Sequence, residues 1–133
     1  MNDELTAQMH AVMPYTALIG ATAVSVAPDA VVLRLGWDET RCTANGLMHG
    51  GALMSLADAA GGYCAFLNLP AGKTNTATIV SSVNLMRAVR SGHVEATARM
   101  LHGGRSTLVI DTELRDADGK LVGRVTQTQA VLG

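Results

Sequence analysis

One long apolar run, from Gly51 to about Leu67, followed by four runs rich in Val, Ile, Thr and Leu, constrains the fold of this chain most tightly. In the first run Leu53, Leu56, Ala60 and Cys64 share a stripe at helical spacing, with Met54, Ala57 and Ala65 beside it. The run is apolar almost all round, which predicts a buried helix rather than one lying on a surface. Thr76–Val89, His93–Leu101, Ser106–Arg115 and Leu121–Leu132 read as strands. Their connectors, Arg90-Ser91-Gly92, His102-Gly103-Gly104-Arg105 and Asp116-Ala117-Asp118-Gly119, have hairpin length and predict an antiparallel meander. A buried helix followed by a meander implies an α+β domain in which the sheet wraps around the helix.

The rest of the chain fits one domain spanning residues 1–133. Residues 3–12 read as a short helix, with Leu5, Met9 and Val12 at helical spacing, stopped at Met13-Pro14. Leu18–Val26 is β-like, Pro28-Asp29 makes a turn, and Val31, Leu33, Leu35 and Trp37 alternate as a strand with one buried face. The stretch 38–48 is polar and irregular. Gly61-Gly62 weakens the long helix by about 1 kcal/mol per glycine, which suggests close approach there by another backbone or by a ligand.

Composition excludes several function classes. A net charge of −1 leaves no basic footprint for nucleic acid or an anionic membrane, and 3% aromatics leaves no stacking platform for bases. Cys42 and Cys64 form no CxxC or CxxH pattern, so no structural zinc site is expected and a reduced cytoplasmic setting is the default. No run reaches the roughly 18 apolar residues that span a bilayer, and Met1-Asn2-Asp3-Glu4 does not begin a secretion signal. A soluble cytoplasmic protein without metal or redox cofactor is expected.

The chemistry concentrates at the start of the long helix. In His49-Gly50-Gly51 the glycines precede the apolar run, and open backbone N–H groups at a helix start can hold developing negative charge. Asp58 sits inside the same run, where a carboxylate is costly to bury without a task. With these two features, three motifs carry a resemblance: Gly46-Leu47-Met48-His49-Gly50-Gly51; Leu56-Ala57-Asp58; and Thr78 to Arg87, which looks like a Ser-x-x-x-Asn-x-Leu-Arg-Pro strand with Ala88 in place of proline. Gly104-Arg105-Ser106-Thr107 and Asp118-Gly119-Lys120-Leu121-Val122 extend it into the final hairpins. Over nearly its whole length the chain resembles the PaaI-like acyl-CoA thioesterases. The resemblance implies a hotdog fold, an antiparallel sheet of five to six strands around a long central helix, and hydrolysis of acyl-CoA to free acid and CoA. It implies at least a homodimer, with a homotetramer the expected assembly, and a supporting role for His49.

On that reading the Gly50 N–H polarises the thioester carbonyl, a contribution typically worth ~3–4 kcal/mol of barrier. Asp58 is the general base for water, or the nucleophile that forms a mixed anhydride. Gly50 and Asp58 stand eight residues apart, about 12 Å along one helix, while attack needs ~3–3.5 Å. Two antiparallel helices related by a two-fold axis would bring Gly50 of one subunit to Asp58 of the other. One position departs from the family pattern: Thr43 stands where Asn or Gln is usual, six residues before His49, and the nearest amide is Asn45. Either Thr43 serves with its hydroxyl, or Asn45 reaches in, or the rate is reduced.

Each assignment has a plainer alternative. Gly50-Gly51 also suits a tight loop-to-helix turn, and Asp58 a carboxylate capped by strand amides. Thr78 is either a holder of water or carboxylate, or an ordinary strand threonine. Arg87, Arg90 and Arg105 match phosphate bidentately, yet also suit solvated strand ends; Arg105 is favoured because the Gly104 and Ser106 backbone accompanies it. Gly51 and Asn45 complete the substrate-binding set. Met48, Met54 and Met86 suit an adaptable acyl slot or the core. Other readings are a hotdog hydratase or dehydratase, and a non-catalytic acyl-CoA-binding module.

Overall fold

The computed structural model describes residues 1–133, in three α-helices, two 3-10 turns and six strands. Helix α1 (Asp3–Val12) is capped by Asn2, whose Oδ1 accepts the Leu5 N–H at 2.9 Å. Pro14 ends α1 but also opens α2 (Pro14–Ile19), because a proline in the first turn gives up no hydrogen bond. Gly20, at φ 77°, closes α2 in the left-handed conformation. The β-like reading from Leu18 is therefore corrected: Leu18 and Ile19 form the last turn of α2, and β1 starts at Thr22.

Strands β1 (Thr22–Ala27) and β2 (Ala30–Gly36) form a hairpin whose Val31, Leu33 and Leu35 are completely buried. Trp37 lies just beyond the strand. After two 3-10 turns, Glu39–Arg41 and Ala44–Gly46, comes helix α3 (Gly50–Leu67), one residue longer than expected. The remaining strands are β3 (Asn75–Leu85), β4 (His93–Gly103), β5 (Thr107–Asp116) and β6 (Leu121–Leu132).

The six strands make one antiparallel sheet in the order β1-β2-β4-β5-β6-β3. Only β4, β5 and β6 form the expected meander. β3 pairs with β6, with Thr78 opposite Gln129 and Leu85 opposite Gly123, rather than with β4. The reason is competition for edges: β4 is flanked by β2 and β5, so β3 takes the open side of β6. Arg90-Ser91-Gly92 is consequently part of a crossover and not a hairpin turn. That crossover passes the start of α3, where the Val89 carbonyl accepts the Met48 N–H at 2.8 Å and Val89 itself is buried.

Helix α3 lies in the concave face of the sheet. Leu53, Leu56, Ala57, Ala60, Cys64 and Ala65 meet the inward residues of the strands, among them Leu33, Ala96, Ile110, Leu114 and Val125. Each large side chain fully buried there contributes roughly 1.5–3 kcal/mol, and the small residues let the helix sit close to the sheet. The expectation of a helix buried all round is corrected. Met54 and Phe66 are about half exposed and Asp58 is exposed, so one stripe of α3 faces outward. No helix is long and apolar enough to cross a membrane.

Candidate active site

The start of α3 is held by backbone on both sides. The His49 N–H donates to the Arg41 carbonyl at 2.8 Å, and Arg41 in turn uses Nε on the Ile19 carbonyl (2.6 Å) and Nη1 on the Gly36 carbonyl (3.1 Å). These bonds tie the loop before α3 to α2 and β2. His49 is the N-cap, and its Nδ1 accepts the Gly51 N–H at 2.8 Å. A neutral imidazole that accepts at Nδ1 carries its proton on Nε2, so the outer edge of the His49 ring is a donor. The Gly50 N–H has no acceptor within the chain. Two unpaired donors, Gly50 N–H and His49 Nε2–H, therefore stand together at the positive end of an 18-residue helix.

Asp58 lies two turns on, on the outward stripe with Met54, Gly62 and Phe66. It is exposed and joins none of the chain's four ion-pair contacts. The expectation of a buried carboxylate is thus corrected for a single chain, because the stripe that carries it faces away from the sheet. Below it is a depression of about 520 Å³ towards Tyr15, Ser55 and Ser81, and above it a cavity of about 500 Å³ towards Tyr63, Phe66 and Thr78. Tyr15 and Ser55, joined by a 3.0 Å hydroxyl–hydroxyl bond, were not anticipated.

The other expected residues divide between this region and elsewhere. Gly51 lines the lower depression and Thr78 the upper cavity with Asp58. Thr43 and Asn45 lie exposed on a turn closed by the Thr43 N–H on the Leu47 carbonyl, and neither bonds to His49; Asn45 takes φ 64° there. Arg87 is exposed in the crossover and not on β3. Gly104, Arg105 and Ser106 form the β4–β5 turn; Gly104 and Arg105 border a depression with Asn68, just past the opposite end of α3 from Gly50. The Gly104 N–H is already used, on the Thr107 carbonyl. Of Met48, Met54 and Met86 only Met54 lines the groove, where Met13 joins it; Met48 is buried and Met86 lies exposed on the crossover.

Charge perturbations lie away from this cluster. Hydrogen bonds from the Thr40 hydroxyl and N–H hold the Asp38 carboxyl below its ordinary range, and burial pushes the Cys64 thiol up. No three His, Cys, Asp or Glu side chains are grouped to hold a metal ion.

Residues 45–123 match the model of the thioesterase superfamily, which is more than half of the chain. The chain belongs to that superfamily. Its fold is the superfamily's hotdog arrangement: the crystal structure of a mutant of thioesterase PA1618 from Pseudomonas aeruginosa superposes with a TM-score of 0.87, covering 96% of this chain and 93% of that one at 29% identity. Thioesterase HI1161 from Haemophilus influenzae superposes with a TM-score of 0.89 at 26% identity, covering 100% and 92%. In sequence the chain is 31% identical over 87 residues to the 1,4-dihydroxy-2-naphthoyl-CoA hydrolase of Escherichia coli, 65% of this chain and 63% of that protein. A stretch 39% identical to PA1618 covers 52% of that protein, so the matches span about half to two-thirds of the curated relatives' length. The superfamily match contains His49, Gly50 and Asp58 but stops short of Gln127 and Gln129.

Gln127 and Gln129 on β6 are residues that the sequence reading missed. They are buried beneath α3 behind Asp58. The only signal was two polar residues at alternate positions of a strand, and nothing local says that they point inward.

Proposed function

We propose that this protein hydrolyses acyl-CoA thioesters at sites shared between two copies of the chain. The observation that carries this reading is the unpaired Gly50 N–H at the start of α3, with an unpaired Asp58 on the same helix's outward face. Eight residues of helix separate them by about 12 Å, so each needs a complement from elsewhere. A second α3 lying antiparallel across a two-fold axis supplies it, placing each Gly50 near the other chain's Asp58. The same arrangement carries Gly50 of one copy towards the Arg105 end of the other.

The partner surface is available along β3. This edge strand is 11 residues long, exposed along nearly its whole length, and shows Ile79 and Val80 each more than half exposed. A long exposed edge with apolar residues at its centre invites pairing with another strand. Two copies of β3 meeting antiparallel would continue the sheet across the axis and bring the outward stripes of both α3 helices together.

At such a site the thioester oxygen accepts from Gly50 N–H and His49 Nε2–H. Asp58 of the other copy takes a proton from water as the water oxygen attacks the carbonyl carbon, or attacks directly as nucleophile and is then released by water. Negative charge develops on the carbonyl oxygen and is held by the two donors and the helix dipole. The tetrahedral centre then collapses, the C–S bond breaks, and the CoA sulfur leaves as thiolate to be protonated. The hydrolytic relatives and the superfamily membership support this reading.

A complementation assay tests it. Asp58→Asn removes the base. Gly50→Pro removes the donor at a position where helices accept proline, after a His49 that already has extended φ −62° and ψ 133°. Each variant alone should lose thiol release from an acyl-CoA panel by about 100-fold or more. Unfolded together and refolded at equal concentrations, they should recover about a quarter of wild-type activity, since half the dimers are mixed and each has one intact site. No recovery, with mixed dimers demonstrated by mass spectrometry, would place both groups in a single chain's site.

A further inference from the structure

Beneath Asp58 two buried glutamines set the polarity of the upper cavity. Gln127 is completely buried and Gln129 is 1% exposed, on the inward face of β6. Their amide directions are fixed by one fact: the Ala57 carbonyl can only accept. Gln127 therefore presents Nε2 to it, at 3.3 Å, and turns Oε1 towards Gln129. Gln129 answers with Nε2, which donates to that Oε1 and also to Thr78 Oγ1 at 2.7 Å. Flipping either amide would oppose two acceptors.

Two atoms are left over, and both belong to the cavity wall. Gln129 Oε1 accepts no bond within the chain. It is not sealed away either, since the one fully buried side-chain polar atom lacking a partner is Thr112 Oγ1. Thr78 Oγ1 is engaged as an acceptor, so its own proton is free to donate. Gln129 and Thr78 line the cavity of about 500 Å³ whose other walls include Val12, Met13, Tyr63 and Phe66. The chamber, whose lining also includes Asp58, Asn75 and Thr76, thus offers an acceptor beside a donor at the Gln129–Thr78 pair.

We infer that Gln129 and Thr78 read a hydroxyl on the acyl group, making Gln129 a specificity-determining residue. This rests on the acyl-CoA thioesterase reading above. A hydroxyl donates to Gln129 Oε1 and accepts from Thr78 in one contact. A keto group would leave Oε1 unpaired, and a carboxylate would do so beside the Asp58 charge. An unsubstituted acyl chain leaves Gln129 Oε1 and the Thr78 hydroxyl proton without a partner, which disfavours it because these groups then lose their water without replacement. Gln127 is a positioning residue: it touches no ligand but fixes which way the Gln129 amide points.

Matched CoA thioesters test the inference: hexanoyl against ω-hydroxyhexanoyl, and benzoyl against para-hydroxybenzoyl. For at least one pair the wild type should favour the hydroxylated ester by about 10- to 100-fold in kcat/KM. Gln129→Met, close in shape but without the amide, should bring that ratio near one, raising kcat/KM for the unsubstituted ester and lowering it for the hydroxylated one. If that variant does not fold, Gln127→Met with Gln129→Met removes both amides together, and the wild-type ratio still decides. Thiol release without preference in either pair would overturn the inference and leave the thioesterase reading standing, as would a preference that survives in the folded Gln129→Met. No thiol release from any ester would overturn both.

Discussion

Gly61 and Gly62 are neighbours in one helix, yet alanine at each should have opposite effects. Alanine is favoured over glycine in a helix interior by about 1 kcal/mol. At Gly62 nothing lies within 4 Å of an added Cβ, so Gly62→Ala should keep most of that gain. At Gly61 the new methyl would fall inside the Gln127 amide, 2.5 Å from Cδ. Gln127 cannot swing away cheaply, because it is fully buried and bonded to both Ala57 and Gln129. Displacing it costs about 1–3 kcal/mol for overpacking and a similar amount for each polar group left unpaired. Gly61→Ala should therefore be destabilising by about 3 kcal/mol net of the helix gain. A 133-residue chain loses roughly 0.28 kcal/mol of stability per kelvin near its midpoint. Calorimetric melts at one fixed protomer concentration should then show Tm up by about 3 °C for Gly62→Ala and down by about 10 °C for Gly61→Ala. The Gly62 methyl also enters the upper cavity, so KM for the bulkiest acyl groups should rise. A Gly61→Ala protein as stable as wild type would show that the glutamine clasp is not rigid. A Gly62→Ala protein destabilised by more than about 1 kcal/mol would show that this face is closed by a partner's backbone rather than open to ligand.

Three further predictions concern the site and its surroundings. His49→Asn keeps a side-chain acceptor for the Gly51 N–H but loses the Nε2 donor, so stability should hold while kcat falls by tenfold or more; His49→Ala should also lose about 1 kcal/mol of cap, and an Asn variant with wild-type kcat would remove His49 from the donor pair. Ile79→Lys puts a charge on the exposed edge strand and should yield a folded monomer without turnover; sedimentation and circular dichroism check this, and an unchanged, active dimer would rule out pairing through β3. In the native protein one thiol should react quickly with an aromatic disulfide reagent, the partly exposed Cys42, while Cys64, buried with its thiol pushed up, should react only on unfolding; two fast thiols would contradict this core.

The parts of the fold that were legible in the sequence are those set by local periodicity against the core. Leu53, Leu56, Ala60 and Cys64 are all buried as their spacing requires, and so are Val31, Leu33 and Leu35. The His49-Gly50-Gly51 helix start was equally readable, because capping and open N–H groups depend on adjacent residues only. Helix α2 was missed because Pro14 carries two messages: it stops the helix before it and starts the one after it. Strand β3 was recognised but given the wrong neighbour. A three-residue connector favours a hairpin locally, while the closing of β4 between β2 and β5 is a property of the whole sheet.

The error over Asp58 has a different physical origin. A sequence shows that a residue lies on an apolar helix, but not whether the apolar surface around it meets its own sheet or another copy of itself. Apolar burial is non-directional and contributes equally in either case, so the stripe Met54, Asp58, Gly62 and Phe66 looked like core although it faces outward. The polar residues break this symmetry. Gln127 and Gln129 are satisfied within the chain except for one atom, whereas the Gly50 N–H and the Asp58 carboxylate have no partner in it at all. A core excludes unpaired polar groups of that kind. The proposal that a second chain completes the chemistry rests on their coincidence with the exposed β3 edge, and it assigns to substrate the groups that do not merely hold the helix in place.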